Sequence, residues 1–242
     1  MIVSVIGFGH VGSVVGSVLA DRGCKVYGID KNIDLITSFK KGLSPINEPG
    51  LQKLITNGLE KKKLIITDSL ASISKSKMII ITVGTPLNKK YLPNLTYLKA
   101  ACNEIKKLIK PGHMICLKST VPPGTTRNII YKILGSKKNI DLAFTPERFS
   151  EGTAIKEFKS LSIVVGGVTD RATNKVANFW NKFLNTKIIK VVNCETAEYV
   201  KVATNAWIDL NIGFANDLAR LAGKLNSKID ILDVSKSSNS LK

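Results

Sequence analysis

Histidine and cysteine are scarce in this chain of 242 residues: two histidines, His10 and His113, and four cysteines, Cys24, Cys102, Cys116 and Cys194. The cysteines form no CxxC pair and no other metal-ligand spacing, so no metal site is expected and the thiols read as buried, inert groups. No stretch of about 18 apolar residues occurs, so no segment is expected to cross a membrane as a helix. The start Met1-Ile2-Val3-Ser4-Val5-Ile6-Gly7 lacks the basic region of a secretory signal and meets a glycine at once, which makes the cytoplasm the expected location. Acids are also few, 18 against 36 Lys and Arg, for a formal net charge of +18. Such a balance favours polyanionic partners in general. Yet the lysines are spread in short groups such as Lys61-Lys62-Lys63. Neither an aromatic-interleaved basic stripe nor a helix-turn-helix pattern occurs, so no nucleic-acid partner is expected. A Lys-rich solvated surface remains, and it would also suit a diphosphate ligand.

What is present is a full complement of core-forming residues, 44% hydrophobic with 22% charged, the balance of an ordinary globular chain. Short apolar runs rich in β-branched residues predict strands at Ile2–Ile6, Lys25–Asp30, Leu64–Thr67, Met78–Val83, His113–Lys118, Asp141–Phe144, Ile163–Gly167 and Ile188–Val191. Helical spacing lies between them, at Leu35–Lys41, Leu51–Glu60, Leu95–Leu108, Thr125–Leu134 and Arg171–Phe183. This alternation predicts βαβ units and an α/β fold with a parallel, doubly wound sheet. From about Glu195 the pattern changes. Glu198 to Leu225 keeps helical intervals without a break, a helix of about 40 Å. It needs a partner for its apolar face. A boundary near Val192 is therefore expected, giving domains 1–192 and 193–242. Ser235 to Lys242 is polar and reads as a frayed or cut end.

Gly7-Phe8-Gly9-His10-Val11-Gly12 is a GxGxxG placed between the first strand and the first helix. Gly7 allows the tight turn, Gly9 lets the backbone approach a pyrophosphate at the helix N-terminus, and Gly12 permits close packing of helix on sheet. Asp30 ends the second strand, where an acid accepts hydrogen bonds from ribose hydroxyls and repels a 2′-phosphate. NAD is thus the expected cofactor, with Lys31 a dissenting charge. Val83-Gly84-Thr85-Pro86 and Lys118-Ser119-Thr120-Val121-Pro122-Pro123-Gly124-Thr125-Thr126 follow two further strands. Ligands in such sheets sit at strand C-termini, so Thr85 and Thr120 are either beside the cofactor or turn and cap residues.

Two charged segments carry the chemistry. Thr145-Pro146-Glu147-Arg148-Phe149-Ser150-Glu151-Gly152 puts two carboxylates four residues apart, on one side if the loop turns helically. Glu198-Tyr199-Val200-Lys201-Val202-Ala203-Thr204-Asn205 sets Lys201 and Asn205 on one helix face. Such groups suit proton transfer and oxyanion stabilisation. Each could equally be a solvated surface charge, and their occurrence together is what favours a site.

GFGHVG, Pro45-Ile46-Asn47-Glu48-Pro49-Gly50-Leu51, VGTP, KSTVPPGTT, TPERFSEGTAI with Val164-Val165-Gly166-Gly167, and EYVKVATNAW with Phe214-Ala215-Asn216-Asp217 run through nearly the whole chain. In this order they resemble the UDP-glucose/GDP-mannose dehydrogenase family of nucleotide-sugar 6-dehydrogenases. The resemblance implies oxidation of the C6 alcohol of a UDP-sugar to a carboxylate, with two NAD⁺ and a cysteine that carries thiohemiacetal and thioester. It implies cofactor contacts from Gly7, Gly9, His10, Val11, Gly12, Asp30, Lys31, Gly84, Thr85, Pro86, Ser119, Thr120 and Glu151. Thr120, Glu147, Glu151, Lys201 and Asn205 are the implied catalytic residues. Glu151 would be the base for thioester hydrolysis, Glu147 would orient sugar or water, and Lys201 and Asn205 would stabilise the oxyanion at C6. Arg148 and the VPPGTT run look more like the N-acetylhexosamine branch, which includes UDP-N-acetylmannosamine dehydrogenases.

The family's nucleophilic cysteine lies in a Gly-Gly-x-Cys loop after the central helix, and a second Rossmann-like domain follows it. This sequence ends at Ser240-Leu241-Lys242, where that loop is expected to begin, and none of its four cysteines has such surroundings. The expectation is therefore an NAD-binding half that is inactive without a C-terminal UDP-binding half, and a homodimer formed through the central helix. The alternatives are a non-catalytic NAD-binding scaffold, or a reductase of the 6-phosphogluconate or 3-hydroxyacyl type. The two-carboxylate loop and the Pro45–Leu51 segment speak against the latter.

Overall fold

The central strands are short apolar runs whose alternate side chains enter two cores. The computed structural model describes residues 1–135, 138–225 and 228–238. In Met78–Ile81 all four side chains are buried: Met78 and Ile80 join one hydrophobic cluster, and Ile79 and Ile81 the other. A strand covered on both faces needs this composition. The strands are β1 (Ile2–Ile6), β2 (Lys25–Ile29), β3 (Leu64–Thr67), β4 (Met78–Ile81), β5 (Met114–Leu117), β6 (Asp141–Phe144), β7 (Ile163–Gly167) and β8 (Ile188–Lys190). They form one sheet in the order β3-β2-β1-β4-β5-β6-β7-β8. β1 lies between β2 and β4, with Ile6 level with Ile29 on one side and Ile81 on the other. The chain order reverses there, and the crevice at such a switch point is where doubly wound folds bind ligands.

The helices are α1 (His10–Asp21), α2 (Ile33–Lys40), α3 (Leu51–Glu60), α4 (Thr96–Lys106), α5 (Lys132–Leu134), α6 (Ala154–Ser160), α7 (Asp170–Leu184), α8 (Cys194–Leu225) and α9 (Ile231–Ser238). α1 packs against α3 and its own β-units, with Val14, Val15, Val18 and Leu19 fully buried. Phe8 points inward from the glycine turn and meets Phe39 edge-on, ring centroids 5.4 Å apart.

The expected parallel sheet needs one correction. β7 runs antiparallel to β6, with Ala143 opposite Gly167 and Phe144 opposite Gly166. The chain leaves β6 at its C-terminal edge and stays at that edge through the acidic loop and α6, so it re-enters the sheet from the same side. α6 and a 3₁₀ turn at Leu70–Lys75 are elements not anticipated from the pattern. The helix expected at 125–134 is π-helical from Thr126 to Tyr131 before α5. Residues 147–150 are irregular rather than helical. Ser235 to Ser238 close α9 rather than fray, and 239–242 lie outside the described residues.

The chain divides into two units, Met1–Lys201 and Val202–Lys242. The first holds the sheet and the opening turns of α8. The second holds the rest of α8, on which Trp207, Leu210 and Phe214 are 67%, 65% and 62% exposed, and α9. Among the described residues no helix is long and apolar enough to cross a membrane.

Candidate functional site: the crevice at β1 and β4

The glycine turn is built by steric necessity. Gly7 sits at φ 88°, a conformation that L side chains rarely adopt. A Cβ on Gly12 would collide with the Gly7 carbonyl oxygen and lie 2.8 Å from Thr82 Oγ1. Gly9 differs: a Cβ there would meet no heavy atom within 4 Å. Gly9 caps α1 with no side-chain hydrogen bond to its first turn. The N-terminal amides of α1, from His10 and Val11 onward, thus face open space with the positive end of the helix dipole behind them. That arrangement fits an anionic pyrophosphate.

Asp30 binds the same turn from β2. Its Oδ2 accepts from Phe8 N at 2.7 Å, and its Oδ1 accepts from Lys31 N at 2.8 Å and Asn32 N at 3.0 Å. A carboxylate offers about four lone-pair sites, so three are committed to backbone and about one is left for a ligand hydroxyl. Asp30 and Lys31 line a cleft of about 260 Å³ whose walls are largely apolar, from Ile6, Ile29, Leu70, Val83 and Ala101, with Tyr97 among them. Asp68 and Glu104 also line it and keep its polar edge acidic. The shape and walls suit an adenine ring with its ribose on Asp30.

A second cleft, about 290 Å³, gathers residues that are far apart in sequence: His10, Val11, Gly84, Thr85, Ser119, Thr120, Glu147, Glu151 and Lys201, together with Lys118 and Phe149. The structure therefore brings together Thr120, Glu147, Glu151 and Lys201, four of the five residues singled out as catalytic. The fifth, Asn205, lies in the second unit, one turn of α8 beyond Lys201. Thr85 Oγ1 donates to Thr120 O at 2.6 Å, tying the ends of β4 and β5. Pro86 lines neither cleft, and its carbonyl accepts from Asn94 N at 2.8 Å at the neck of an exposed loop. Ser119 Oγ is buried and has no hydrogen-bond partner among the described residues. An orphaned hydroxyl in a cleft wall is the mark expected where a polar ligand group completes the bonding.

The two carboxylates of the acidic loop have different surroundings. Glu151 is exposed at the cleft mouth. Glu147 is buried: Oε1 accepts from Arg148 N at 2.8 Å and Phe149 N at 3.2 Å, and Oε2 lies 3.1 Å from Lys118 Nζ. The latter is a charge contact, Oε2 having no aligned hydrogen bond among the described residues, and the Lys118 ammonium also donates to Thr145 O at 3.4 Å. Lys118 Nζ also stands over the rings of Trp180 and Phe158, at 5.4 and 5.6 Å. Burial pushes the Lys201 ammonium pKa down. Glu147 pulls it back up, and Lys118 and Arg148 push it further down.

Sequence reasoning quoted Lys118 in its motif and gave it no role. Glu48 and Glu198 likewise stood in quoted segments without a role. Glu198 is fully buried, and its two oxygens accept from Gly124 N and Thr126 N, each at 2.6 Å. That fastens the VPPGTT loop to α8. The only available signal for Glu198 was an acid at the buried end of an apolar helical pattern. All four cysteine thiols are buried, and burial pushes Cys24 to about 11 and Cys102 and Cys194 to about 12. Among the described residues no group of three or more His, Cys, Asp and Glu could hold a metal.

A doubly wound sheet with an uncapped glycine turn at its switch point, and acid, lysine and hydroxyl groups beyond it, defines a dinucleotide-binding dehydrogenase unit. Residues 1–184 match the NAD binding domain of the UDP-glucose/GDP-mannose dehydrogenase family, and residues 195–241 match that family's central domain. The chain belongs to the UDP-glucose/GDP-mannose dehydrogenase family, whose members are NAD-dependent nucleotide-sugar dehydrogenases. It is 32% identical over 227 residues to UDP-N-acetyl-D-mannosamine dehydrogenase of Pyrococcus horikoshii, covering 92% of this chain and 54% of that protein. It is 34% identical over 231 residues to UDP-glucose 6-dehydrogenase of Bacillus subtilis, covering 94% and 50%. A ternary complex of GDP-mannose dehydrogenase from Pseudomonas aeruginosa superposes with a TM-score of 0.91 at 29% identity, over 98% of this chain and 56% of that one. The chain spans about half the length of the curated relatives it matches.

Proposed function

We propose that the chain is the NAD-binding half of an NAD-dependent nucleotide-sugar 6-dehydrogenase that oxidises the C6 alcohol of a UDP-sugar, of the UDP-N-acetylmannosamine or UDP-glucose type, to the uronate. The observation that carries this reading is the second cleft, where Thr120, Glu147, Glu151 and Lys201 meet the open end of α1. Relatives named for three different sugar nucleotides match at similar identities, 31% to 34%. The shared part is then the cofactor and proton-handling part, and the choice of sugar belongs to the C-terminal UDP-binding half.

The α1 amides and Gly9 would hold the pyrophosphate, and Asp30 the adenosine ribose. Gly84, Thr85, Ser119 and Thr120 would line the nicotinamide end. Bound NAD supplies the hydride acceptor. Lys201, its ammonium made more acidic by burial, is suited to stabilise negative charge on the C6 oxygen, with Asn205 sharing that task. Glu151, open to solvent at the cleft mouth, is suited to take a proton from water, and Glu147, held by two amides and Lys118, to orient sugar or water. The four thiols are buried with raised pKa values and none lines the second cleft, which supports a nucleophile supplied from outside these 242 residues.

Residues 1–192 would then be the cofactor domain, and 193–242 the start of the central helical domain through which the protein dimerises. Four unpaired thiols suit the reducing cytoplasm. Calorimetric titration with NAD⁺ tests the reading. Saturable binding is expected, with no NADH formed from UDP-sugars until a C-terminal half is supplied; absence of binding at millimolar NAD⁺ would overturn it.

A further inference from the structure

We infer that Glu48 is a positioning residue that couples the cofactor end of α1 to the acidic loop, an inference that rests on the second cleft being an NAD site. Glu48 lies in the connection between α2 and α3, and its side chain is 1% exposed. Its Oε2 accepts from Gly152 N at 2.8 Å and lies 3.4 Å from His10 Nε2. One carboxylate oxygen thus joins two segments 142 residues apart in sequence, His10 at the start of α1 and Gly152 in the loop.

Both ends matter to the cleft. His10 lines it directly, and Gly152 follows Glu151, which also lines it. Gly152 stands at φ 85°, a region glycine adopts freely and other residues rarely do, so the turn that presents Glu151 is shaped by this glycine, and its N–H is the group that Glu48 holds. Glu48 is itself well anchored: its N–H donates to Ile46 O at 3.1 Å, and its carbonyl accepts from Leu51 N, where α3 begins, at 3.0 Å. The contact is reinforced by packing, because the His10 ring meets Phe149 edge-on at 6.1 Å and Phe149 meets Phe158 at 5.8 Å.

The Gly152 bond, at 2.8 Å, has the length of a charge-assisted bond and is hard to replace once buried, while the His10 contact at 3.4 Å is the looser end of the tether. A cofactor that settles against α1 fixes His10, and through Glu48 it orders the turn carrying Glu151. By reciprocity, an ordered loop raises affinity for the cofactor. The Glu48 carboxylate does no chemistry itself; it sets where Glu151 stands relative to the nicotinamide end.

Hydrogen exchange read by mass spectrometry on the full chain, with and without saturating NAD⁺, tests this. In E48A the amides of Ser150–Thr153 exchange about tenfold or more faster than in wild type. NAD⁺ slows that segment in wild type and leaves it unchanged in E48A. E48Q keeps most of the protection, because its amide oxygen still accepts from Gly152 N. E48D, one methylene shorter, loses it, and serves if E48A fails to fold; exchange in β4 is the check on the fold. Equal exchange at 150–153 in E48D and wild type, or equal slowing by NAD⁺ in E48A and wild type, would overturn the coupling. No NAD⁺ binding to wild type sinks the cofactor reading; binding without a loop difference sinks only the Glu48 tether.

Discussion

Lys118 Nζ lies 3.1 Å from Glu147 Oε2, with the two side chains only 2% and 10% exposed. The lysine is clasped by Phe158 and Trp180 on its other side. Removing one partner of such a pair leaves a buried charge without compensation, which costs about 3–5 kcal/mol. K118M fills the same aromatic slot and leaves the buried Glu147 carboxylate without the lysine beside it, held only by two backbone amides and the more distant Lys201 charge. Its melting temperature is expected to fall by roughly 10 °C, at about 2–4 °C per kcal/mol for a chain of this size. K118M/E147Q should recover most of that loss, because both charges are gone. Scanning calorimetry of the three proteins decides it, and a single K118M that melts with wild type would show that the pair contributes nothing.

Lys201 has the opposite character: its burial works against the fold and in favour of chemistry. Its pKa in the folded state is lowered from 10.5, first by burial. The unfolded chain therefore binds this proton more tightly than the folded one between the lowered pKa and 10.5. Stability must rise with pH across that interval, since unfolding there takes up a proton. K201M, which has no proton to lose, should be more stable than wild type at neutral pH. The gap should close as pH climbs toward 10.5. Urea unfolding at a series of pH values reads this directly, and a gap that stays constant with pH would contradict it.

The sheet was legible because each central strand is a bare apolar run, Met78–Ile81 above all, and because the glycine turn names its own neighbours. The antiparallel β7 was not legible. Nothing local in Ile163–Gly167 records which edge the chain enters from; that is decided by where the preceding loop and α6 are held. Lys118 shows the same limit for the site. Its partners Glu147, Phe158 and Trp180 come from the end of β6, from α6 and from α7, and only the closed fold brings them together. Glu147 and Glu151 were found through their spacing, although the loop between them is not helical, so their common cleft has a different cause from the one that suggested it. Asp30 was expected to serve a ribose, and most of its bonding capacity in fact holds the turn.

Gly9 and Gly12 separate cofactor binding from folding. An added methyl at Gly12 strikes the Gly7 carbonyl, so G12A is expected to lose about 1–3 kcal/mol as an overpacked contact. At Gly9 the backbone is at φ −74°, suitable for alanine, and no atom lies within 4 Å of the new methyl. G9A should therefore unfold within about 0.5 kcal/mol of wild type. Its methyl occupies the space through which a pyrophosphate reaches the α1 amides. NAD⁺ affinity is expected to drop about tenfold or more, a change worth 1.4 kcal/mol per decade. Thermal melts and calorimetric titration on the same samples check both halves. G9A with wild-type affinity would move the pyrophosphate elsewhere.

The exposed face of α8 makes the remaining prediction. Trp207, Leu210 and Phe214 stand at i, i+3 and i+7 on one side of the helix, each more than half exposed. Burying a large apolar side chain stabilises by about 1.5–3 kcal/mol. Three from each of two copies would contribute about 9–18 kcal/mol against an association cost of about 4–15 kcal/mol, so a dimer is the expected outcome. Light scattering on the full chain at high micromolar concentration should report twice the monomer mass of 26.3 kDa. W207S/L210S/F214S should weaken the dimer by at least about a thousandfold, and the melting of the sheet-bearing unit should change little because none of the three belongs to it. Wild type that stays monomeric at that concentration would show that a second copy does not cover this face.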